Sequence, residues 1–154
     1  MKVGLLVSDL TQFKELNAEY VKYFGVKPPV RVCVEIPGDE IIMFFVTHQP
    51  EEIDSFNEKK KNLHVQSLSF WAPPNIGPYS QINIVGETIF LAGMIGLYPP
   101  KVVPVDSGDI VRQYQQIRLN FDAVLTDVLR TPSSWHSQKT RSAIIYIPQE
   151  AQLD

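Results

Sequence analysis

Cysteine is nearly missing from this chain of 154 residues: Cys33 stands alone. An intrachain disulfide and a cysteine-based metal cluster are therefore both impossible. The three histidines, His48, His64 and His136, are far apart and lack the short spacings of a zinc site, so no metal is expected. Long apolar runs are missing too. None approaches the roughly 20 residues that a membrane-spanning helix requires, and the opening Met1-Lys2-Val3 enters a strand instead of a secretory leader. No membrane partner is expected. A formal net charge of -3 and a pI near 5.6 leave no basic footprint, which argues against nucleic acid as a partner. Neither a Gly-x-x-x-x-Gly-Lys run nor a Ser-Gly-Gly-x-Asp-Ser run occurs, so no cofactor such as ATP is expected to be activated by these residues. Asn-x-Ser/Thr sequons are absent as well. A reducing, cytoplasmic setting fits these absences best.

What is present is ordinary for a folded protein, with 44% hydrophobic and 20% charged residues. The length suffices for one domain or for parts of two small ones. Lys2 to Val7 is a strand-like run, and Ser8-Asp9 is a helix-entry signal. Phe13, Leu16, Tyr20, Val21 and Phe24 recur at helical spacing, and Gly25 closes that helix. Val30 to Ile36 alternates: Val30, Val32, Val34 and Ile36 share one face, and Arg31, Cys33 and Glu35 the other. Pro37-Gly38-Asp39 turns the chain into an apolar strand from Ile41 to Val46. A charged segment follows and ends in Lys59-Lys60-Lys61, a composition that suits a solvated linker. Strands are then expected at Val65 to Phe70, Ile82 to Val85 and Thr88 to Ile95. Tyr98 to Gly108 is expected to be an irregular loop. Ile110, Tyr114, Ile117, Phe121, Val124, Leu125 and Val128 mark a long amphipathic helix entered at Asp109, and Arg141 to Ile147 a last strand. Helices separate only some of the strands, which favours an α+β fold, a mixed β-sheet packed against two helices, over a doubly wound one.

The segment Trp71-Ala72-Pro73-Pro74-Asn75-Ile76-Gly77-Pro78-Tyr79-Ser80-Gln81 exceeds what a strand connection needs. Pro78 fixes its own φ and pushes Gly77 towards extended geometry. A stiff loop should result, aiming the phenol of Tyr79 and the hydroxyl of Ser80 in a set direction. Stiff polar loops on a scaffold often hold small ligands; a rigid connection with Trp71 packed on it is the plainer alternative. Trp71 and Tyr98 could stack a ligand, though large aromatics more often pack.

Ile76-Gly77-Pro78-Tyr79-Ser80-Gln81, followed by Leu91-Ala92-Gly93-Met94-Ile95-Gly96-Leu97, resembles the opening half of the Rid (YjgF) family. Val3 to Asp9, Phe13 to Phe24 and Pro28-Pro29-Val30-Arg31 resemble its closing half. The halves stand in permuted order. Residues 1–50 read as the closing half of a first Rid-like unit, 51–63 as a charged linker, and 64–154 as the opening part of a second; 1–50 and 64–154 could also pack together as one permuted domain. The junction from Leu63 to Pro73 is similar to that of a eukaryotic ligase whose C-terminal region carries two such units in tandem.

The resemblance implies a chorismate mutase-like α+β fold, a homotrimer or pseudo-trimer, and clefts between neighbouring units. It implies that ATP belongs to a separate N-terminal domain of the ligase, and that elongation factor 2 is a partner through the parent protein. It further implies a small carboxylate ligand held by Arg31, with Tyr79, Ser80, Gly93 and Trp71 as further ligand-binding candidates. A planar guanidinium suits bidentate contact with a carboxylate. Two departures count against imine deamination, the activity of many Rid proteins. Ala92 stands where deaminating members have a serine. Phe45, in Met43-Phe44-Phe45, stands where they have the glutamate that orients water, and a phenyl ring can do neither acid nor base work. Glu35 or Glu40 could replace it only in three dimensions. No catalytic residue is assigned, and a purely structural trimerisation module is a third reading. Two simpler roles are also open: an Arg31–Glu35 ion pair along one strand face, and a thiol of Cys33 either activated by Arg31 or merely small and buried.

Overall fold

The computed structural model describes residues 1–47, 60–86, 88–105, 108–129 and 142–147. The first segment runs β1 (Lys2–Val7), α1 (Phe13–Tyr20), β2 (Val30–Glu35) and β3 (Ile42–Val46). Asp9 starts the first helical turn: its carboxylate accepts from the Thr11 backbone N–H at 2.8 Å and the Thr11 hydroxyl at 2.6 Å. These bonds hold the Asp9 carboxyl below its usual range. After Tyr20 the helix tightens into a 3-10 turn, Val21–Tyr23. The three strands form a mixed sheet in the order β2-β1-β3, with β1 parallel to β2 and antiparallel to β3. Helix α1 covers one face, where Val3, Leu5, Val7 and Tyr20 form a core with Leu16 and Phe24. Arg31 and Cys33 stand opposite Val3 and Leu5 in the register, so the face of β2 that carries the cation is the one turned towards this core. On the opposite face Gly4 leaves room for the Phe44 ring, which an added Cβ would strike at 1.9 Å.

The second segment contains β4 (Lys60–Leu63), β5 (Ile82–Val85), β6 (Thr88–Leu91), β7 (Leu97–Tyr98), β8 (Val103–Pro104) and α2 (Ile110–Leu129). Strands β4, β5 and β6 make an antiparallel sheet, and β7 and β8 a two-stranded hairpin. Ala72, Ile82, Ile84, Val124 and Val128 form the core between this sheet and α2. Gly96 lets the helix come close: an added Cβ would lie 3.1 Å from the Gln113 backbone. No helix among the described residues is long and apolar enough to cross a membrane.

The α+β class and the two helices agree with the sequence pattern, while the strands are divided among three small sheets instead of one. Val65 to Phe70 forms no strand. Its backbone is engaged by a side chain instead: Gln81 accepts from the Val65 N–H at 2.9 Å and donates to the Val65 carbonyl at 3.1 Å. Strand β4 begins inside the expected charged linker, so Lys60 and Lys61 belong to a sheet edge. The expected loop from Tyr98 to Gly108 includes the β7–β8 hairpin, with Val102 at a φ of 52° in its turn. In the expected last strand, Arg141 lies outside the described residues, and 142–147 are exposed and unpaired by any strand.

The two segments meet through backbone and amide groups. The Ser80 N–H donates to the Pro29 carbonyl at 3.2 Å, the Gly93 N–H to the Arg31 carbonyl at 3.0 Å, and the Asn83 carboxamide to the Met1 carbonyl at 2.9 Å. Asn83 is fully buried and also accepts from Asn62, its register partner across β4 and β5. Buried amides of this kind are costly to leave half-satisfied. Asn83→Ala is therefore expected to destabilise the chain by about 1–3 kcal/mol, measured as a lowered urea midpoint. An unchanged midpoint would show that Asn83 does not pin the segments.

Candidate functional site

Arg31 sits where the segments join, only 3% exposed. Its guanidinium carbon lies 5.4 Å from the ring centre of Phe13, 4.7 Å from that of Tyr20 and 5.5 Å from that of Tyr79. Two of these rings come from α1, at positions seven residues apart and hence on one face of the helix; the third comes from the stiff loop. Such a box stabilises a cation by its ring quadrupoles. The expected ion pair with Glu35 does not form. Glu35 lies two rows along β2, where its carboxylate accepts from the Leu10 N–H at 2.7 Å. Glu40 is exposed. Burial pulls the Arg31 pKa below its ordinary value, yet a guanidinium remains charged throughout the working range. The site is thus a buried cation with no carboxylate partner among the described residues.

Three polar atoms here have no hydrogen-bond partner among the described residues: Nη1 of Arg31, Oδ1 of Asn17 and the hydroxyl of Tyr20. Gly77 closes over two of those side chains. A Cβ there would lie 2.6 Å from Nη2 of Arg31 and 3.1 Å from Oδ1 of Asn17, so only glycine fits without displacing them. Tyr79 follows, with its N–H donating to the Gly77 carbonyl at 2.8 Å and its hydroxyl accepting from the Ile76 N–H at 3.4 Å. Burial raises the Tyr79 phenol above its ordinary value, against smaller opposing effects of the Ile76 bond and Arg31.

Arg31 and Tyr79 are therefore brought together as the sequence pattern suggests. Ser80 is fully buried and acts as a strut: its hydroxyl donates to the Pro28 carbonyl at 2.7 Å and accepts from Asn62. The Gly93 N–H is committed to Arg31, while the residue borders a small cleft with Pro73, Pro74, Tyr79, Gln81 and Ala92. Neither Trp71, 42% exposed, nor Arg31 lines that cleft. The cleft encloses about 30 Å³, room for a water or two. Cys33 is not activated: burial pushes its thiol up by more than Arg31 pulls it down. Phe45 stands beyond Val3 in the register row of Arg31, two strand spacings or roughly 10 Å away. No proton-transfer group occupies that row.

Three participants are not evident from sequence alone. Phe13 and Tyr20 belong to the apolar stripe of α1 and read as core. Asn17, four residues after one and three before the other, is a polar residue on that stripe, and this interruption is the available signal.

The chain is 40% identical over 101 residues to the diphthine–ammonia ligase of Schizosaccharomyces pombe, a match taking in 63% of this chain and 16% of the ligase. It is 34% identical over 113 residues to the diphthine–ammonia ligase of Saccharomyces cerevisiae, again 16% of that protein. A RutC family protein of Pyrococcus horikoshii is 43% identical over 54 residues, which take in 35% of this chain and 42% of that protein. The chain is thus similar over part of its length to proteins of both names. The match spans about a sixth of the length of the ligases. No family model matches it, and no solved structure does.

The aromatic box has a pH signature. Burial pushes the Tyr20 phenol from 10.0 up to about 12. The stability tied to the neutral phenol is fully present below pH 10.0 and is lost towards pH about 12, because the unfolded chain deprotonates first. Urea unfolding followed across that window should show a steeper loss for the wild type than for Tyr20→Phe. Parallel curves would mean that Tyr20 is not buried in this way.

Proposed function

We propose that this chain is a Rid-like region of a diphthine–ammonia ligase-like protein, and that its buried Arg31, with Tyr79 beside it, binds a small carboxylate without turning it over. The observation that carries this reading is the buried, permanently charged Arg31, which among the described residues has no partner for Nη1 and is surrounded by aromatic faces but no anion. A buried cation without a counter-charge is costly, and a carboxylate is the group that a planar guanidinium fork fits best. Phe45 and Ala92, in place of a glutamate and a serine, support binding without chemistry. The whole protein would amidate diphthine on elongation factor 2 with ATP and ammonium, the ATP chemistry lying outside these residues. Residues 1–50 and 64–154 would be permuted Rid halves in a cytoplasmic trimer or pseudo-trimer. Arg31 does not line the small cleft that Tyr79 borders, which supports a site completed by a neighbouring unit.

A free-standing imine deaminase is the second reading, favoured by the RutC relatives and by the pairing of Arg31 with Tyr79. One set of measurements separates the two. Titration of the folded chain with pyruvate, followed by NMR shifts of the Tyr79 ring and the Gly77 amide, should saturate. Arg31→Lys, which keeps the charge but loses the fork, should weaken binding by about tenfold or more. Freshly generated 2-aminoacrylate should release ammonia no faster with the protein than without it. Absence of saturable binding overturns the proposed site, and rapid ammonia release abolished by Arg31→Lys establishes the deaminase.

A further inference from the structure

Arg31 is so deeply buried that a ligand reaches its guanidinium only if what covers it can move. Gly77 lies against it, close enough that an added Cβ would fall 2.6 Å from Nη2. The Gly77 carbonyl is held from two sides, by the Tyr79 N–H at 2.8 Å and by Nδ2 of Asn75 at 2.7 Å. The same Nδ2 lies 2.9 Å from Nε2 of His64. The other carboxamide atom of Asn75, Oδ1, is buried and has no hydrogen-bond partner among the described residues. The Asn75 backbone is fixed by its N–H bond to the Val65 carbonyl at 3.0 Å, which leaves the carboxamide as the part that can turn.

These contacts fix the states of both side chains. An oxygen in the place of Nδ2 would meet the Gly77 carbonyl oxygen at 2.7 Å with no hydrogen between them, so the nitrogen stands there. Its second hydrogen points at His64, whose Nε2 must then accept, so the ring is neutral with its proton on Nδ1. Protonation removes that acceptor. Both ring nitrogens then carry hydrogens, and no rotation of the imidazole offers Asn75 a lone pair. A half-turn of the carboxamide restores a bond, with Nε2–H donating to Oδ1, the atom that otherwise lacks a partner. The same half-turn sets Oδ1 against the Gly77 carbonyl oxygen and drives that peptide off its seat.

We propose that His64 is a proton-operated latch on the Arg31 site. Neutral, it holds Gly77 over the guanidinium through Asn75; protonated, it turns Asn75 and uncovers the cation. As a control of ligand access this rests on the carboxylate reading above, whereas the movement of Gly77 does not. Other titratable or charged side chains on the elements around the ring are Lys61, exposed on β4, Tyr79, whose hydroxyl accepts from the Ile76 N–H, and Arg31 beneath Gly77. Strand β5 carries none, and α1 meets Gly77 through the uncharged Asn17. Lysine, tyrosine and arginine ordinarily keep their protons between roughly pH 8 and pH 5, the range in which histidine changes charge.

The test follows the full, isotope-labelled chain by NMR from roughly pH 8 to pH 5, first without ligand. The Gly77 amide and the Asn75 carboxamide are expected to shift with the midpoint of the His64 ring, while the Ile84 amide in the core stays still. In His64→Gln, which keeps an acceptor but does not titrate, both should hold their alkaline positions. In Asn75→Asp, which cannot donate to the Gly77 carbonyl, the Gly77 amide should be displaced at both ends of the range. Pyruvate is then titrated at each end. The wild type should bind it about fivefold tighter or more at the acid end, and His64→Gln equally at both. A Gly77 amide that ignores the His64 ring, or that still titrates in His64→Gln, overturns the latch and leaves the carboxylate site standing. Absence of pyruvate binding at both ends, with Gly77 following His64, overturns the carboxylate reading and leaves the latch standing. Saturable wild-type binding that is the same at both ends overturns the control of access.

Discussion

Carbonyl groups at the entry to β2 organise this molecule. Pro28 and Pro29 supply acceptors but no N–H, so the strand reaches Arg31 with a one-sided demand for donors. Ser80 meets that demand twice, by hydroxyl and by backbone, and Gly93 meets it once more at Arg31. Those bonds fix the distance between the β2 edge and the Trp71–Gln81 loop. Gly77 and Tyr79 are consequently laid against the guanidinium, and the aromatic box closes. Without the bonds, Arg31 would be a cation at a sheet edge, free to find water.

The box also explains how a charge survives inside this fold. An isolated ion in an apolar interior is prohibitive, but three ring faces within about 5.5 Å each return part of the lost hydration, on the order of 0.5–2 kcal/mol apiece. The compensation is incomplete, as the unpaired Nη1 and the downward shift of the Arg31 pKa indicate. The result is a polarised site, a buried cation faced by aromatic rings and, among the described residues, by no carboxylate.

Much of this was legible in the sequence. The strands at Lys2–Val7 and Ile82–Val85 and both helices follow from apolar periodicity, and the pairing of Arg31 with Tyr79 follows from the motifs. The misses share a cause: each depends on who sits opposite. Val65 to Phe70 has the composition of a strand, yet at its first residue Gln81 takes both backbone hydrogen bonds. The 142–147 segment is apolar and β-prone, yet it is not part of any strand among the described residues. Ser80 looked like a ligand contact because a hydroxyl in a stiff loop carries no mark of the carbonyl it will face, and Asn17 looked like any polar residue on a helix.

Gln81 has a wider meaning for how this chain tolerates change. By clamping both backbone groups of Val65 with one carboxamide, and reaching the Pro73 carbonyl as well, it holds both ends of the intervening loop at once. Within that loop Ala72 still belongs to the core, held by Ser69, but the stretch before it is released from any duty to the sheet. Leu68 and Phe70, both largely open to solvent, occupy positions whose chemistry answers to the surroundings of the protein and not to its interior.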